Sequence, residues 1–368
     1  VWPVLVAAVE ASPVRSLNAT RVELDGGIVS LVGPNGIGKT NLLEALYFAL
    51  TGRSFRTSDR RDLIPFGAPL ARAEAVVRDE GGVEHRLLAS VSRSEGRRHL
   101  LDGAPVDAAT AARHRPPVAV FSPDRLALIK GPPGERRAHL DRYVAARWPS
   151  RSGLRLRYGQ ALAQRNALLA RLAGGAGGVD LEAWDGAFAE AAAEIGAARA
   201  QAVGELAAPF ARTAAELGLE GGAMIEYSPR APGSAEEIRE GLLARREADL
   251  RLGRSSWGPH LDEVKVSHAG KALRRFGSQG QQRAALLALL FAERTALAEA
   301  RRVAPLLLLD DVMSELDPDR RERLVERLGE GGQSLVTAAS EESLPPRVRA
   351  NSIRMEAILG SASAAEAA

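Results

Sequence analysis

The octapeptide Gly33-Pro34-Asn35-Gly36-Ile37-Gly38-Lys39-Thr40 satisfies G-x-x-x-x-G-K-[ST], a spacing whose chemistry is the cradling of phosphate. Its glycines let successive backbone N–H groups converge on phosphate oxygens, and a helix starting at its end adds partial positive charge there. Lys39 is then placed to reach the β- and γ-phosphates of a nucleoside triphosphate such as ATP, and the Thr40 hydroxyl to ligate Mg²⁺. A phosphate cradle needs carboxylates to hold that metal. Leu306-Leu307-Leu308-Leu309-Asp310-Asp311 supplies two at the end of an apolar run: Asp310 for the metal, through water, and Asp311 as the general base that polarises an attacking water.

A third element, Phe276-Gly277-Ser278-Gln279-Gly280-Gln281-Gln282-Arg283, opens a helix with small and polar residues. Read locally it is a well-capped start, with Ser278 as N-cap and Gln281 at the third helical position. It is equally an anion-binding terminus. Since Gly33–Thr40 already serves the γ-phosphate of its own chain, a second phosphate-binding helix makes physical sense if it completes the site of another subunit.

These residues need elements to hold them. The β-branched run 27–32 reads as a buried strand feeding the phosphate loop, and Thr40 to Leu50 as the helix leaving it. Strands at 73–77 and 85–91 follow, joined by the turn Glu80-Gly81-Gly82. From Glu135 the texture turns to Ala, Leu and Arg at helical spacing. Helices are predicted near 135–147, 154–173 and 180–218, the last two separated by the flexible turn Gly174-Gly175-Ala176-Gly177-Gly178. One short helix then runs to about Arg251. Strand texture returns at 263–268, a long helix covers 278–300, and the strand 305–310, the helix 317–328 and the strand 334–337 close the pattern. The reading is one α/β nucleotide-binding core split in sequence around a helical insertion: residues 1–122 and 255–359 as core, 123–254 as insertion, and a disordered tail at 360–368.

Composition agrees. The chain has 368 residues, 45% apolar and 26% charged, which excludes global disorder. It has no cysteine, which excludes disulfides, thiolate metal sites and a cysteine nucleophile, and is compatible with a reducing compartment such as the cytoplasm. Its longest strictly apolar run, Ala284 to Ala292, falls far short of the roughly 18 residues of a membrane span. No Lys or Arg precedes the apolar segment Val4 to Val9, so the charged start of a signal peptide is missing. Net charge is only +3, but the window 123–173 holds eleven basic residues against three acids, a local +8 that leaves −5 for the rest. Such a window can attract polyphosphate, or it can be a solvated arginine-rich helix face.

The order of phosphate loop, S-Q-G-Q-Q-R, D-D strand end and Ser314-Glu315-Leu316-Asp317 resembles the ABC-type ATPase heads of the SMC class, and within it most closely the RecF family of bacterial recombination mediators. Asn41-Leu42-Leu43-Glu44-Ala45, Thr51-Gly52-Arg53-Ser54-Phe55-Arg56, Val120-Phe121-Ser122-Pro123 and Gln164-Arg165-Asn166-Ala167-Leu168-Leu169 extend the likeness over both core halves and the insertion. The resemblance implies a slow, DNA-stimulated ATPase in which two copies sandwich two ATP molecules. Lys39, Thr40 and Asp310 would hold MgATP, Asp311 would activate water, and Ser278, Gln279, Gly280 and Gln281 would meet the γ-phosphate from across the interface. The loop 314–317 would communicate between sites. It further implies binding of duplex and single-stranded DNA at gaps or junctions by the ATP-dependent homodimer, with RecR and RecO as protein partners, and the basic window as a DNA-facing arm. The rival readings are a transporter ATPase subunit, whose insertion would grip a membrane partner, and a module that binds ATP without hydrolysing it.

The pattern departs from that family at two places, and from transporter heads at a third. Gly258-Pro259-His260-Leu261-Asp262-Glu263 carries leucine where the family has a basic residue, and His260 reads as a hydrogen-bonded structural residue. The F-R-N element expected after the first strand is missing, with Leu17-Asn18-Ala19-Thr20 in its place. Thr337-Ala338-Ala339 offers no switch histidine after the last strand.

Overall fold

The structure, a computed structural model, describes residues 4–57, 59–79, 81–175 and 181–359. Glu80 of the expected turn, residues 176–178 of the glycine segment and the 360–368 tail lie outside them. The chain forms two compact units. The first comprises Val1–Arg125 with Leu297–Ala368, and the second Leu126–Ala296. Residues 255–296, assigned from sequence to the second half of the core, fall in the second unit.

The first unit holds two sheets. One is parallel, in the order Ser352–Arg354, Ile28–Val32, Ser334–Ala338, Leu306–Leu309, Val118–Phe121. The other is antiparallel, in the order Thr20–Glu23, Leu5–Ala11, Leu70–Arg78, Glu84–Ser92, Gly96–Leu101, Ala104–Pro105. Strands buried on both faces must be apolar throughout, which is why the central Leu306–Leu309 is four leucines, all buried. The phosphate-loop helix Lys39–Thr51 places Leu42, Leu43, Leu46, Phe48 and Leu50 in one core with Val6, Val9, Ala73 and Leu87 of the antiparallel sheet and Val29, Leu31, Leu308 and Leu335 of the parallel one. Fastened on both sides, the helix cannot shift when its N-terminus meets a charged ligand. Gly52, in the left-handed region at φ 64°, closes it by donating to Phe48 O.

The second unit is mainly helical. Its long members are Pro133–Arg147, Leu154–Ala173, Leu181–Glu216 and the N-terminal part of Gln279–Arg301, accompanied by the antiparallel strands Lys271–Ala272, Glu263–His268 and Ala223–Ser228. The single helix expected up to Arg251 is two, Ala235–Ala244 and Arg246–Leu252. Ser234 opens the first with a complete capping box, and the chain turns at Arg245 before the second begins. No helix among the described residues is long and apolar enough to cross a membrane.

Candidate nucleotide site

The phosphate loop runs between the strand Ile28–Val32 and the helix Lys39–Thr51, as its motif requires. Gly38 is the N-cap at φ 110°, and a Cβ there would come within 2.8 Å of Leu17 Cδ2, so only glycine fits. Pro34, Asn35 and Gly36 are exposed at the rim. The Lys39 ammonium is buried and donates to Gly33 O at 2.5 Å and Pro34 O at 3.0 Å. Burial lowers its pKa, opposed by the charges of Asp311, Asp310 and Glu356. It is a cation whose partners are neutral carbonyls, ready to exchange them for phosphate.

Asp310 ends the strand Leu306–Leu309 and is itself buried. Thr40 Oγ1 lies 2.9 Å from each of its carboxylate oxygens, and Thr337 Oγ1 donates to Oδ1 at 2.9 Å. Burial raises the Asp310 pKa, with the two hydroxyl bonds opposing and the Asp311 charge adding to the rise. A carboxylate desolvated this way, next to a threonine hydroxyl, is an all-oxygen donor set suited to a hard divalent cation that keeps waters and phosphate oxygens as its remaining ligands. Among the described residues no cluster of three or more His, Cys, Asp or Glu forms a self-sufficient metal cage.

Asp311 holds φ 51°, the left-handed region, which a non-glycine residue adopts only when its surroundings enforce it. The enforcement is visible. Its N–H donates to Thr337 Oγ1 at 2.8 Å, and its carbonyl accepts from Ser314 Oγ at 3.0 Å. Thr337 therefore bridges both aspartates, a role the sequence reading missed because it examined that position only for a histidine. The Ser314 bond ties the loop 314–317 to the backbone of the proposed base. Asp317 caps the next helix, accepting from Arg320 N at 3.0 Å.

A second residue missed from sequence is Arg15. The first strand is Leu5–Ala11 and the next Thr20–Glu23, so the segment between them is 12–19. Val14-Arg15-Ser16 stands in it, ahead of Leu17-Asn18-Ala19. Arg15, at φ 54°, makes a two-pronged ion pair with the fully buried Glu44 of the phosphate-loop helix, at 3.0 and 3.1 Å. Arg56 approaches the same carboxylate at 3.4 Å and Asn41 Oδ1 at 3.1 Å. A signal existed: a glutamate on the buried face of a helix needs a cation.

The S-Q-G-Q-Q-R segment lies in the second unit. Its helix is Gln279–Arg301, with Ser278 before it. Ser278 Oγ accepts from Gln281 N at 3.2 Å, and Ser278 N donates to Gln281 Oε1 at 2.9 Å, a reciprocal capping box. Ser278 and Gln279 are exposed. The serine hydroxyl, acting here as acceptor, keeps its own proton for an incoming anion.

The basic window is only in part the surface its sequence suggests. Carboxylates from outside it meet four of its arginines: Arg136 with Glu263, Arg147 with Glu205, Arg157 with Glu194, and Arg165 with Asp185 and Asp249. Arg137 donates to Asp262 O. Four of the eleven basic residues are thus paired in three dimensions, which no count along the chain could supply, while Lys130, Arg151, Arg155 and Arg171 meet no carboxylate among the described residues. The loop 258–263 is held by the same kind of contact. Arg199, whose pKa is raised through its bonds to Asp141 against the opposing effect of burial, also bonds Pro259 O and Asp262, and Tyr227 donates to Asp262. His260 accepts from Tyr158 O–H at 2.7 Å, and Leu261 is left exposed.

A parallel sheet with a glycine-rich phosphate loop after one strand and an aspartate pair after another, together with a capped S-Q-G-Q-Q-R helix, defines an ABC-type P-loop ATPase head. The family model described as "RecF/RecN/SMC N terminal domain" matches residues 5–357. The chain is similar to the DNA replication and repair protein RecF of Streptomyces avermitilis, 37% identical over 90% of this chain and 92% of that protein. It is also similar to the protein of the same description from Myxococcus xanthus, 37% identical over 85% and 84%. A solved structure described as the recombination mediator protein RecF-ATPrS in the RecFOR pathway superposes with a TM-score of 0.83 at 29% identity, covering 93% of this chain and 94% of that one. An Smc head bound to the C-winged helix domain of ScpA, at 20% identity and a TM-score of 0.55 over 95% and 93%, shares the fold. The chain belongs to the RecF family.

Proposed function

We propose that this protein is an ATP-dependent DNA-binding recombination mediator acting in the cytoplasm in DNA replication and repair, at single-strand gaps and junctions, with RecR- and RecO-like proteins as partners. Two copies close on ATP, hold DNA while closed, and reopen after slow hydrolysis that DNA stimulates. The observation that carries this reading is the bridge Thr40–Asp310–Thr337–Asp311, in which a phosphate-loop hydroxyl and a strand-end hydroxyl hold a metal-type carboxylate and the strand-end hydroxyl also holds the backbone N–H of the aspartate beside it. Nothing found favours the transporter alternative.

In this mechanism Lys39 leaves the carbonyls of Gly33 and Pro34 for the β- and γ-phosphates. Thr40 and Asp310 would hold Mg²⁺, which would supply neutralisation of the phosphate charge. Asp311, aimed by its left-handed backbone, takes the proton of the attacking water. Ser278, Gln279, Gly280 and Gln281 of the second copy donate to the γ-phosphate from the far side, so that hydrolysis removes the group both copies share.

The DNA backbone needs cations that carboxylates have not already consumed. Among the described residues Arg53, Arg60 and Arg97, all of the first unit, have no carboxylate partner. Arg60 is lowered in pKa first by burial and then by the proximity of Arg97 and Arg53, as in a cluster of like charges. We assign phosphate contacts to this cluster, and the 123–173 arm keeps Lys130, Arg151, Arg155 and Arg171, likewise without a carboxylate partner, as a second contact surface.

The test is a set of DNA-binding titrations on gapped and duplex DNA with ATP, ADP or no nucleotide, paired with sedimentation. Tighter binding and a doubled mass only with ATP are expected. Equal affinity in all three states would defeat the gating.

A further inference from the structure

The residue that opens the F-G-S-Q-G-Q-Q-R string has no role in the chemistry above, yet its setting is unusual. Phe276 is 64% exposed, and a ring exposed singly is in itself ordinary. This one is also held in place. Gly277 N donates to Leu273 O at 3.1 Å, and the buried Gln282 side chain donates to the same carbonyl at 2.9 Å. A Cβ on Gly277 would come within 2.7 Å of both Leu273 Cδ2 and Leu273 O, so the turn that presents the ring is as tight as the chain allows. Leu273 itself is buried and anchors the platform. The Arg275 guanidinium lies over the ring, 5.6 Å from its centre, and Arg274 is exposed beside it. Phe276 precedes the cap residue Ser278 by two positions, so their Cα atoms are at most about 7.6 Å apart. A surface that covers the Ser278 hydroxyl therefore passes within reach of Phe276.

We propose that Phe276, shouldered by Arg274 and Arg275, is the apolar anchor with which each copy of this chain grips a second copy beside the shared nucleotide. The inference rests on the ATP-bridged pairing proposed above and names the protein contact that supports it. The occupant is a second copy because an anion at Ser278 arrives, in that pairing, on the phosphate-loop edge of another chain. That edge carries complementary charge. Exposed Glu356 has both carboxylate oxygens 3.3 Å from where a Cβ on Gly33 would stand, which makes an acidic rim for the two arginines. A rigid aromatic flanked by arginine matches the composition of interface hot spots.

The experiment measures self-association of the full chain by sedimentation equilibrium with Mg²⁺ and ATPγS, alongside nucleotide affinity by fluorescence titration at concentrations where the chain stays single. Phe276→Ala should weaken the pairing by at least about ten-fold, with nucleotide affinity and thermal midpoint at parental values, and Phe276→Trp should restore it. Arg275→Glu should weaken it less. Phe66→Ala, which removes a still more exposed ring from the first unit, should change nothing. Parental pairing in Phe276→Ala, or equal weakening in Phe66→Ala, overturns the anchor. A parental chain that stays single with ATPγS overturns the pairing itself.

Discussion

The nucleotide site of the first unit and the helical second unit use buried charge in opposite ways. In the second unit, ions are matched to ions. Arg165 is fully buried between Asp185 at 2.8 Å and Asp249 at 2.7 Å, with Ser255 Oγ also at 2.7 Å, and Arg199 spans Asp141 and Asp262. In the first unit Glu44 is matched to Arg15 in the same way, but the ions at the nucleotide site are given only neutral hydrogen-bond partners: carbonyls for Lys39, hydroxyls for Asp310. A matched ion pair is finished and holds helices together. An ion with neutral neighbours is stable enough to fold and still gains from an opposite charge delivered by a ligand. The contrast separates architecture from function more sharply than motif matching does. It also places Arg165 of the Q-R-N-A-L-L segment on the architectural side.

The largest effect tests that placement. Arg165→Ala leaves buried Asp249 without its cation and Asp185 with only Arg246 at 3.4 Å, and should cost about 3–5 kcal/mol of stability. Chemical denaturation should show early unfolding of the second unit while ATP binding by the first persists. Loss of ATP binding with stability unchanged would reverse the assignment. Next is Asp311→Asn. It should retain ATP and lower the hydrolysis rate by about 100-fold, roughly 2.7 kcal/mol in barrier height. An unchanged rate of phosphate release would leave the chain a binding module.

The same contrast explains what the sequence could disclose. The phosphate loop, the Leu306–Leu309 strand with its aspartates, and the capping box at Ser278 were legible because each is local: the residues that act together lie within eight positions of one another. Thr337 and Arg15 were not, since their partners Asp310 and Glu44 lie 27 and 29 residues away and only the fold joins them. The basic window misled in part, for a related reason. Its charge was summed along the chain, while Glu263, Glu205 and Asp249, which offset some of it, come from remote segments. The strand Leu5–Ala11 escaped notice because its apolar pattern was weighed only as an export signal, whereas it pairs along Leu70–Arg78 in the antiparallel sheet.

Thr337→Val sharpens the comparison within the nucleotide site. It removes the hydroxyl that aligns both aspartates and leaves Asp311 N–H without an acceptor, a cost of about 1–3 kcal/mol. The hydrolysis rate should fall about ten-fold, equivalent to roughly 1.4 kcal/mol, while ATP affinity changes little. Thr337→Ser, which keeps the hydroxyl, should recover it. Equal loss in both variants would mean that the methyl group, not the bridge, matters.

The smallest effect returns to the second unit. His260 Nδ1 accepts from Tyr158 O–H, and Nε2 lies 3.2 Å from Ser255 O, so the ring is held neutral with its proton on Nε2. Burial lowers its pKa, and the neighbouring Arg137 charge adds to that, against Asp262 and Asp249. A depressed histidine pKa stabilises the fold above the ordinary titration range. That stability is lost as pH falls through the range and toward the folded value, because the unfolded chain takes up the proton first. His85 works the other way: its bond to Asp102 raises its pKa, so its contribution is present at low pH and fades as pH rises. The informative quantity is therefore the difference between parent and His260→Asn, measured by denaturation from pH 7.5 to pH 5. That difference should narrow as pH falls. A gap that stays constant would show that the histidine is held by shape alone, and that the neutral Tyr158–His260 contact belongs with packing, apart from the charge matching that governs the rest of this unit.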